Sequence, residues 1–159
     1  MVFVIRIRGQ SNLSYQQNSL LFSLGLKKVH QGHFFRLDPA MKKTLLMLEN
    51  HIVYGFVDKK MVEQLVRKRG FFRINGKFEP IESNRVVEEN LAEKDLICVQ
   101  DLVKVLSYPS DKLEAVKKYL KMFQLGKPSF GYGKKWKRRR EGGAWGHCEN
   151  FDELLQKMI

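Results

Sequence analysis

The stretch VFVIRIR, residues 2–8, sets the expected fold of this chain. Apolar side chains occupy every odd position of the stretch, whereas the even positions change from valine to Arg6 and Arg8. This alternation predicts a β-strand that has one apolar face and one face that turns basic towards its end. Gly9 ends the predicted strand.

Two helices and two further strands are predicted directly after this strand. Ser14 begins the first helix with a capping-box pattern, and Asp38, followed by proline, begins the second. The further strands are expected at residues 33–37 and 52–57. The order strand, helix, strand, helix, strand predicts an α+β fold in which a three-stranded antiparallel sheet carries both helices on one face. This arrangement is half of a ferredoxin-like plan.

The other face of the predicted sheet is expected to be free to meet another molecule. Every charged residue before Asp38 is positive, so this part of the chain is basic before the first acid is reached. Arg6, Arg8 and Arg36 are candidates to lie on the free face or at its edge. Residues 1–58 are therefore expected to form a binding core of the protein.

Residues 59–126 are expected to form a mostly helical additional portion with one short hairpin. The predicted elements are a helix at 59–68, a hairpin around the type I′ turn Asn75-Gly76, helices at 83–91 and 101–106, and a helix with apolar spacing from Leu113 to Phe123. Residues 127–159 are expected to form a basic loop and a C-terminal helix that Asn150 caps.

The run KPSFGYGKKWKRRREGG, residues 127–143, is interrupted by no acid before Glu141. Its cations are Lys127, Lys134, Lys135, Lys137, Arg138, Arg139 and Arg140, and the aromatic residues Phe130, Tyr132 and Trp136 lie among them. A packed core cannot absorb these like charges, whereas a polyphosphate chain is their natural counter-charge and exposed rings can stack on bases. The alternatives are a solvated disordered tail, or a Trp136 side chain that packs in the core.

The basic block is expected to be mobile in the free protein and to become ordered on RNA. Seven cations repel one another when RNA is absent, and the glycines of the block favour no single shape. The elements before Phe123 are predicted to complete their own apolar faces. The folded body is therefore expected to survive loss of the block.

The composition favours a globular protein with an acidic partner. With 159 residues, 43% hydrophobic and 29% charged, the chain is typical of one soluble domain or of one domain with a satellite. Lys and Arg number 29 against 17 acids, which gives a formal net charge of +12 and favours nucleic acid as the partner. The two cysteines suit a reducing intracellular compartment, and no apolar run has the length of a membrane span.

The motifs give no support for an enzyme. A P-loop-like spacing of glycines has Tyr132 at the position of the required lysine. His30 and His33 are three residues apart, but no other metal-ligand type accompanies them, so they are interpreted as surface residues or phosphate neighbours. The prediction is a protein without catalytic residues, metal, cofactor or small-molecule substrate. A nucleic-acid enzyme that uses Glu88 or Glu89 is the competing class.

Four segments of the chain resemble one known family, in order along the sequence. They are FVIRIRG, VYGFVDKKMVEQLVRKRGFFRINGK, LICVQDLV, and FQLGKP with the later EGG. They resemble the large-subunit ribosomal protein called L thirty in bacteria and archaea and L seven in eukaryotes. The steps Tyr54-Gly55 and Arg67 to Gly70 are the specific motifs. The resemblance covers essentially the whole chain and implies a purely structural role on large-subunit rRNA.

The resemblance places the family's RNA-facing positions at Arg6 and Arg8, at the step 67–69 and in the run 134–140. The complete set of predicted RNA-binding residues is Arg6, Arg8, Lys27, Lys28, Arg36, Arg67, Lys68, Arg69, Lys77, Lys127, Lys134, Lys135, Trp136, Lys137, Arg138, Arg139 and Arg140. The implied partners are large-subunit rRNA, with a position near the 5S rRNA as a candidate, and neighbouring ribosomal proteins, but no membrane. The implied location is the cytoplasmic ribosome, with nucleolar transit if the protein is eukaryotic.

The chain also departs from the family pattern. Eukaryotic members usually carry a long basic extension before the first strand, and this sequence begins at that strand, which fits a reduced or truncated eukaryotic protein. The family's glycine-asparagine-arginine step near the end is replaced by Gly146-His147-Cys148. The alternative function is that of a ribosome-biogenesis paralogue, which binds pre-rRNA during large-subunit assembly.

Overall fold

The computed structural model describes residues 1–74, 77–81, 87–88, 96, 98–108, 110–129, 131–132, 143 and 145–159. Its strands are β1 (Val2–Arg6), β2 (Gln31–Phe35), β3 (Ile52–Gly55), β4 (Phe71–Ile74), β5 (Lys77–Pro80), β6 (Phe123–Gln124) and β7 (Gly146–His147). Its helices are α1 (Tyr15–Ser23), α2 (Pro39–Met47), α3 (Lys59–Arg69), α4 (Val99–Ser107), α5 (Leu113–Tyr119) and α6 (Phe151–Gln156), with a 3₁₀ turn at Glu49–His51.

Five of the strands form one mixed sheet in the order β6-β2-β1-β3-β7. The strand β1 pairs in antiparallel fashion with β2 on one side and with β3 on the other, as predicted. At the edges, β6 pairs antiparallel with β2 and β7 pairs parallel with β3. The predicted three-stranded sheet is therefore the centre of a wider one, and both of its edges come from distant parts of the chain.

Local signals in the sequence explain how the first two helices begin. The Ser14 hydroxyl accepts a hydrogen bond from the Gln17 N–H at 3.2 Å, and the Gln17 side chain accepts one from the Ser14 N–H at 3.1 Å. The predicted capping box is thus formed. Asp38 precedes α2, but its carboxylate makes no capping hydrogen bond and instead pairs with Arg36 at 3.3 Å.

Both α1 and α2 cover one face of the sheet, as predicted. The buried residues of this layer are Val2, Val4, Leu21, Leu26, Phe35, Leu45, Leu48 and Ile52. They come from the even positions of β1, from the neighbouring strands and from the inward sides of the two helices. The layer is a compact core made by the first part of the chain alone.

The expectation that the other face of the sheet is free is wrong. The odd positions of β1 are buried there under α3, α4 and α6. The buried residues of this second layer include Phe3, Ile5, Ile7, Phe34, Val53, Val62, Leu65, Val66, Leu102, Val103, Leu106, Phe151, Leu154 and Leu155. Because burial of apolar surface is the main favourable term in folding, α3, α4 and α6 pack on this face and bury its apolar residues.

The part of the chain after α5 also lies in this second layer. Phe123 belongs to β6 and not to the helix predicted from Leu113, because α5 ends at Tyr119. The Phe123 ring lies 5.8 Å from the ring of Phe3, and the Phe151 ring lies 6.2 Å from it. The expectation that the elements before Phe123 complete their own apolar faces is therefore wrong. The division of the chain at residues 58 and 126 stays a prediction.

Several other predicted elements are present in the structure. The hairpin of β4 and β5 pairs Ile74 with Lys77, and the predicted turn between them lies outside the described residues. The helices predicted at 59–68 and 101–106 correspond to α3 and α4, whereas the helix predicted at 83–91 lies mostly outside the described residues. Within the described ranges, no helix has both the length and the apolar character that crossing a membrane requires.

Candidate nucleic-acid interface

An open groove lies between the α1–β2 connection, the β4–β5 hairpin and the segment that joins α5 to β6. Its volume is about 840 Å³. The residues that line it are Gly25, Lys27, Lys28, Val29, Gln31, Arg73, Phe78, Lys118, Tyr119, Leu120, Lys121, Met122 and Gln124. Five of these side chains are cationic and none is acidic. The groove is therefore a concentrated positive surface with apolar and aromatic side chains among the charges.

Lys27 and Lys28 reach the groove because α1 ends abruptly. Gly25 has a φ of +76°, a left-handed conformation that favours glycine. The N–H groups of Gly25 and Leu26 donate back to carbonyls of the last helical turn at 3.0 and 2.9 Å. A Cβ atom at residue 25 would also collide with the side chain of Met122. The glycine thus turns the chain towards the groove at a point where a larger residue would adopt a strained backbone conformation and displace the end of the Met122 side chain.

Arg6 lies behind this wall of the groove and not on a free face, which corrects the placement expected from the sequence. Its side chain is 1% exposed. Its Nε donates to the carbonyl of Arg8 at 2.9 Å, and its Nη1 donates to the carbonyls of Leu26 and Lys27 at 2.9 Å each. The Arg6 guanidinium is bonded within the protein and holds the backbone from which Lys27 projects.

The opposite wall is the β4–β5 hairpin, which the segment after α5 holds in place. The backbone N–H of Lys121 donates to the carbonyl of Phe71 at 2.9 Å, and Leu120 forms a β-bridge with Phe72. The Lys121 amino group lies 4.1 Å from the centre of the Phe78 ring and 5.5 Å from that of Phe71. These distances are those of cation–π contacts, so the ammonium group is held at the edge of the groove.

Three cations of the groove are absent from the prediction made from the sequence. They are Arg73, Lys118 and Lys121. The spacing of Lys118 and Lys121 at the end of α5 could have drawn attention to them. Nothing in the local sequence shows that the hairpin bearing Arg73 pairs with this segment, because the pairing is tertiary.

Among the other predicted RNA-binding residues, Arg36 has acidic partners. Its guanidinium lies 3.3 Å from the Asp38 carboxylate and 3.6 Å from that of Asp111, although about half of the side chain is exposed. Arg8 is half-buried, and Lys77 is exposed on β5. None of these three residues lines the groove.

The cations at the end of α3 also lie apart from the groove. Arg67 forms an ion pair with Glu63 at 3.0 Å, and Lys68 is exposed. Arg69 donates from Nε and Nη2 to the backbone oxygen of Ile159, at 3.2 and 2.8 Å. Arg69 therefore fixes the C-terminal segment against α3.

Of the basic block, the structure describes residues 127–129, 131–132 and 143. Lys127 is exposed, and the predicted residues Lys134, Lys135, Trp136, Lys137, Arg138, Arg139 and Arg140 lie outside the described residues. Tyr132 is half-buried, and its ring stacks on His30 with ring centres 5.8 Å apart and an interplanar angle of 12°. The Tyr132 oxygen is also 2.5 Å from Nδ1 of His30. The beginning of the block is therefore packed on the folded body.

The histidines differ from their interpretation as surface groups. His33 is 1% exposed, and burial, together with the positive charge of Lys117, lowers its pKa to about 3. Burial and the charge of Lys127 also lower the pKa of His30. Both imidazoles are thus favoured in the neutral form. Among the described residues, no cluster of three His, Cys, Asp or Glu side chains has the arrangement of a metal site.

A second depression on the surface has a different character. It is lined by Val2, Leu37, Lys42, Leu45, Leu46, Tyr54, Phe56 and His147 and has a volume of about 270 Å³. Leu46 and Phe56 are well exposed there. The depression holds one lysine, whereas the groove holds five cations, so the two surfaces suit partners of different chemistry.

Comparison with known proteins gives matches along the whole chain. The profile of the family described as "Ribosomal protein L30p/L7e" matches residues 2–52. Proteins named "Large ribosomal subunit protein uL30" are similar to the chain: 31% identity over 160 residues in Caenorhabditis elegans, 33% over 159 in Yarrowia lipolytica and 30% over 159 in Sus scrofa. These matches cover 100%, 98% and 99% of this chain and 66%, 64% and 64% of the relatives. The chain thus spans slightly less than two thirds of each relative.

Proposed function

Since this chain belongs to the ribosomal protein L30p/L7e family, we propose that it is a structural, non-catalytic component of the large ribosomal subunit that binds large-subunit rRNA. The family is structural and not enzymatic, and the names of the relatives place those proteins in the large subunit. The observation in the fold that supports RNA binding is the groove, where five cations converge and no acid is found among the described lining residues.

The proposed mechanism rests on the phosphate backbone and the shape of the RNA. Cationic side chains displace the ions condensed on a polyphosphate, and this release makes affinity fall steeply with salt. Contacts to phosphates position a protein on RNA without reading base edges. The groove supplies one set of such contacts, and the cations of the basic block from Lys134 to Arg140 supply another.

The proposal also includes the neighbours of the protein in the large subunit and its location in the cell. The apolar depression around Leu46 and Phe56 suits a neighbouring ribosomal protein better than a phosphate backbone, because it is largely without charge. A position near the 5S rRNA and passage through the nucleolus belong to the same proposal. They follow from the ribosomal assignment and not from any contact within the chain.

Sucrose-gradient sedimentation tests the proposal. The tagged chain, produced in its native cell, is expected to sediment with mature large subunits and with translating ribosomes. A variant that carries Lys118→Gln and Lys121→Gln is expected to be depleted from these fractions. The matched control carries Lys43→Gln and Lys60→Gln, two exposed cations outside the groove, and is expected to sediment like the unmodified chain.

Two outcomes would overturn the proposal. Absence of the unmodified chain from every large-subunit fraction would contradict a ribosomal role. Appearance only on pre-ribosomal particles would instead support the alternative, a biogenesis factor that leaves before the subunit matures.

A further inference from the structure

We propose that the groove binds an unpaired stretch of RNA, with its phosphates on the five cations and a base against the ring of Phe78. This inference rests on the proposed function and specifies the form of RNA that the groove takes. Its basis is the combination of charge and apolar surface in one concave site. A groove that bound only phosphates would not need apolar and aromatic side chains in its lining.

The chemistry of the lining favours an unpaired strand over a duplex. The floor and walls contain Val29, Leu120 and Met122, together with the aromatic residues Phe78 and Tyr119. In a duplex the bases are stacked on one another, and double-stranded RNA is recognised through phosphates and 2′-hydroxyl groups across its shallow groove. Apolar walls have no counterpart there. An unpaired base has an apolar face to place on them, and sites for single strands combine cations with aromatic rings in this way.

The size of the groove agrees with this form of ligand. A volume of about 840 Å³ lies within the range of sites that enclose small organic ligands, about 300–1,000 Å³. A base with its sugar fits in such a space, whereas a helix of paired strands is too wide to enter it. A duplex could lay only its outer phosphates along the rim.

The aromatic residues of the groove are accessible and held in position. Phe78 is 48% exposed and Tyr119 is 37% exposed. The Lys121 amino group lies 4.1 Å from the centre of the Phe78 ring. The cation lies over one face of the ring, so a base would stack on the opposite face, and the adjoining phosphate would lie within reach of that cation. The positive charge of Lys121 and the aromatic surface of Phe78 therefore lie next to each other in the groove.

The backbone around this point is fixed before any RNA binds. The carbonyl of Phe71 accepts a hydrogen bond from the Lys121 N–H, and Phe72 bridges to Leu120. On the other side, Arg6 holds the carbonyls of Leu26 and Lys27. Both walls are thus tied to the core, so that little ordering is required when a strand enters the groove.

The test uses the full chain and two labelled RNA probes. One is a single-stranded oligouridylate of about ten nucleotides, a length that one single-strand site covers. The other is an RNA hairpin of equal charge. Fluorescence anisotropy measures both affinities for the unmodified chain and for Phe78→Leu. We expect tighter binding of the single strand, and about a tenfold loss for that probe with Phe78→Leu. The matched control is Phe56→Leu, which replaces an exposed ring outside the groove and is expected to change neither affinity by more than about twofold.

A second variant keeps the test valid if Phe78→Leu destabilises the β4–β5 hairpin of the protein. Lys121→Gln removes an exposed amino group together with its cation–π contacts, keeps both aromatic rings, and is expected to weaken the single-strand complex several-fold, against the control Lys43→Gln. Equal effects of the groove variants and their controls, or tighter binding of the hairpin probe, would overturn the inference. Neither result would move the unmodified chain out of the large-subunit fractions of a gradient, so failure of the inference is distinct from failure of the proposed function.

Discussion

Arg6 and the groove above it show two opposite uses of positive charge. Arg6 is 1% exposed and donates hydrogen bonds to three backbone carbonyls, so its charge is satisfied within the protein. The groove gathers five cations, and none of the described residues that line it is acidic, so we expect its counter-charge to come from another molecule. The difference teaches that the number of cations in a sequence does not give the number that bind RNA. The atoms around each one decide its role.

Among the variants that test this comparison, Arg6→Met is expected to have the largest effect, and it is expected to act on stability. Methionine fills much of the same space but leaves the carbonyls of Leu26 and Lys27 without their donor, and a buried unsatisfied polar group is costly. We expect a loss of about 3–5 kcal/mol in the free energy of unfolding. Urea denaturation measures it. Lys28→Met is the control, because Lys28 is exposed, and an equal loss in both variants would show that Arg6 has no special structural role.

Substitutions in the groove are expected to do the reverse and to weaken RNA binding while stability stays nearly unchanged. The double variant Lys118→Gln and Lys121→Gln is expected to bind single-stranded RNA about tenfold or more weakly, which is about 1.4 kcal/mol or more. The slope of log affinity against log salt is expected to become shallower by about 1.4, since each phosphate contact on a single strand contributes about 0.7. Stability is expected to change by less than about 0.5 kcal/mol. An unchanged salt slope would mean that these lysines do not contact phosphates.

His33 sharpens the comparison because it is as buried as Arg6 but lacks its partners. Neither ring nitrogen has a hydrogen-bond partner, and the pKa of His33 is lowered to about 3 from an ordinary 6.5. Between these values the unfolded chain binds a proton that the folded chain excludes. His33 therefore does not reduce the free energy of unfolding above pH 6.5. As the pH falls from 6.5 towards 3, protonation of the unfolded chain lowers this free energy by up to about 1.4 kcal/mol per pH unit.

The measurement is urea unfolding at neutral pH and at about pH 5 for the unmodified chain and for His33→Leu. The variant is expected to lose less stability on acidification. Some pH dependence is expected to remain, because burial also lowers the pKa of His30 and that of His51. Identical losses in the two proteins would show that His33 already accepts a proton in the folded state.

The smallest effect is expected from Arg69→Gln. Arg69 is half-buried and donates two hydrogen bonds to the oxygen of Ile159. Their loss is expected to cost about 1 kcal/mol and to increase hydrogen exchange in α6. Lys68→Gln, the exposed neighbour, serves as the control. If RNA affinity falls and α6 exchanges as before, Arg69 belongs with the groove cations and not with Arg6.

The sequence predicts the parts of the fold that local signals determine. The alternation in residues 2–8 gives β1, the Ser14 capping box gives the beginning of α1, and the apolar spacing after Asp58 gives α3. The two-residue strands β6 and β7 have no such signal. Phe123 even continues the helical spacing that begins at Leu113, and only the pairing of β6 with β2 makes it part of a strand.

The candidate site is less predictable for the same reason. Alternation along β1 cannot distinguish a basic surface from a buried arginine, because the carbonyls that satisfy Arg6 lie at Leu26 and Lys27, far along the chain. The sequence indicates Lys27 and Lys28 through their charge alone. Lys121 joins them only because the hairpin and the segment after α5 are brought to the same place by the fold.

The placement of β6 and β7 at the two edges of the sheet also governs how the protein is made. Synthesis delivers β1, β2 and β3 before β7, so Val53 can pair with Ile5 at once but gains its second partner only when Gly146 has been added. Until then the nascent chain presents unpaired strand edges and an apolar face that α6 has yet to cover, and such edges are templates for aggregation. The sheet is therefore complete only after β7 has been synthesised, and the growing chain exposes these edges until then.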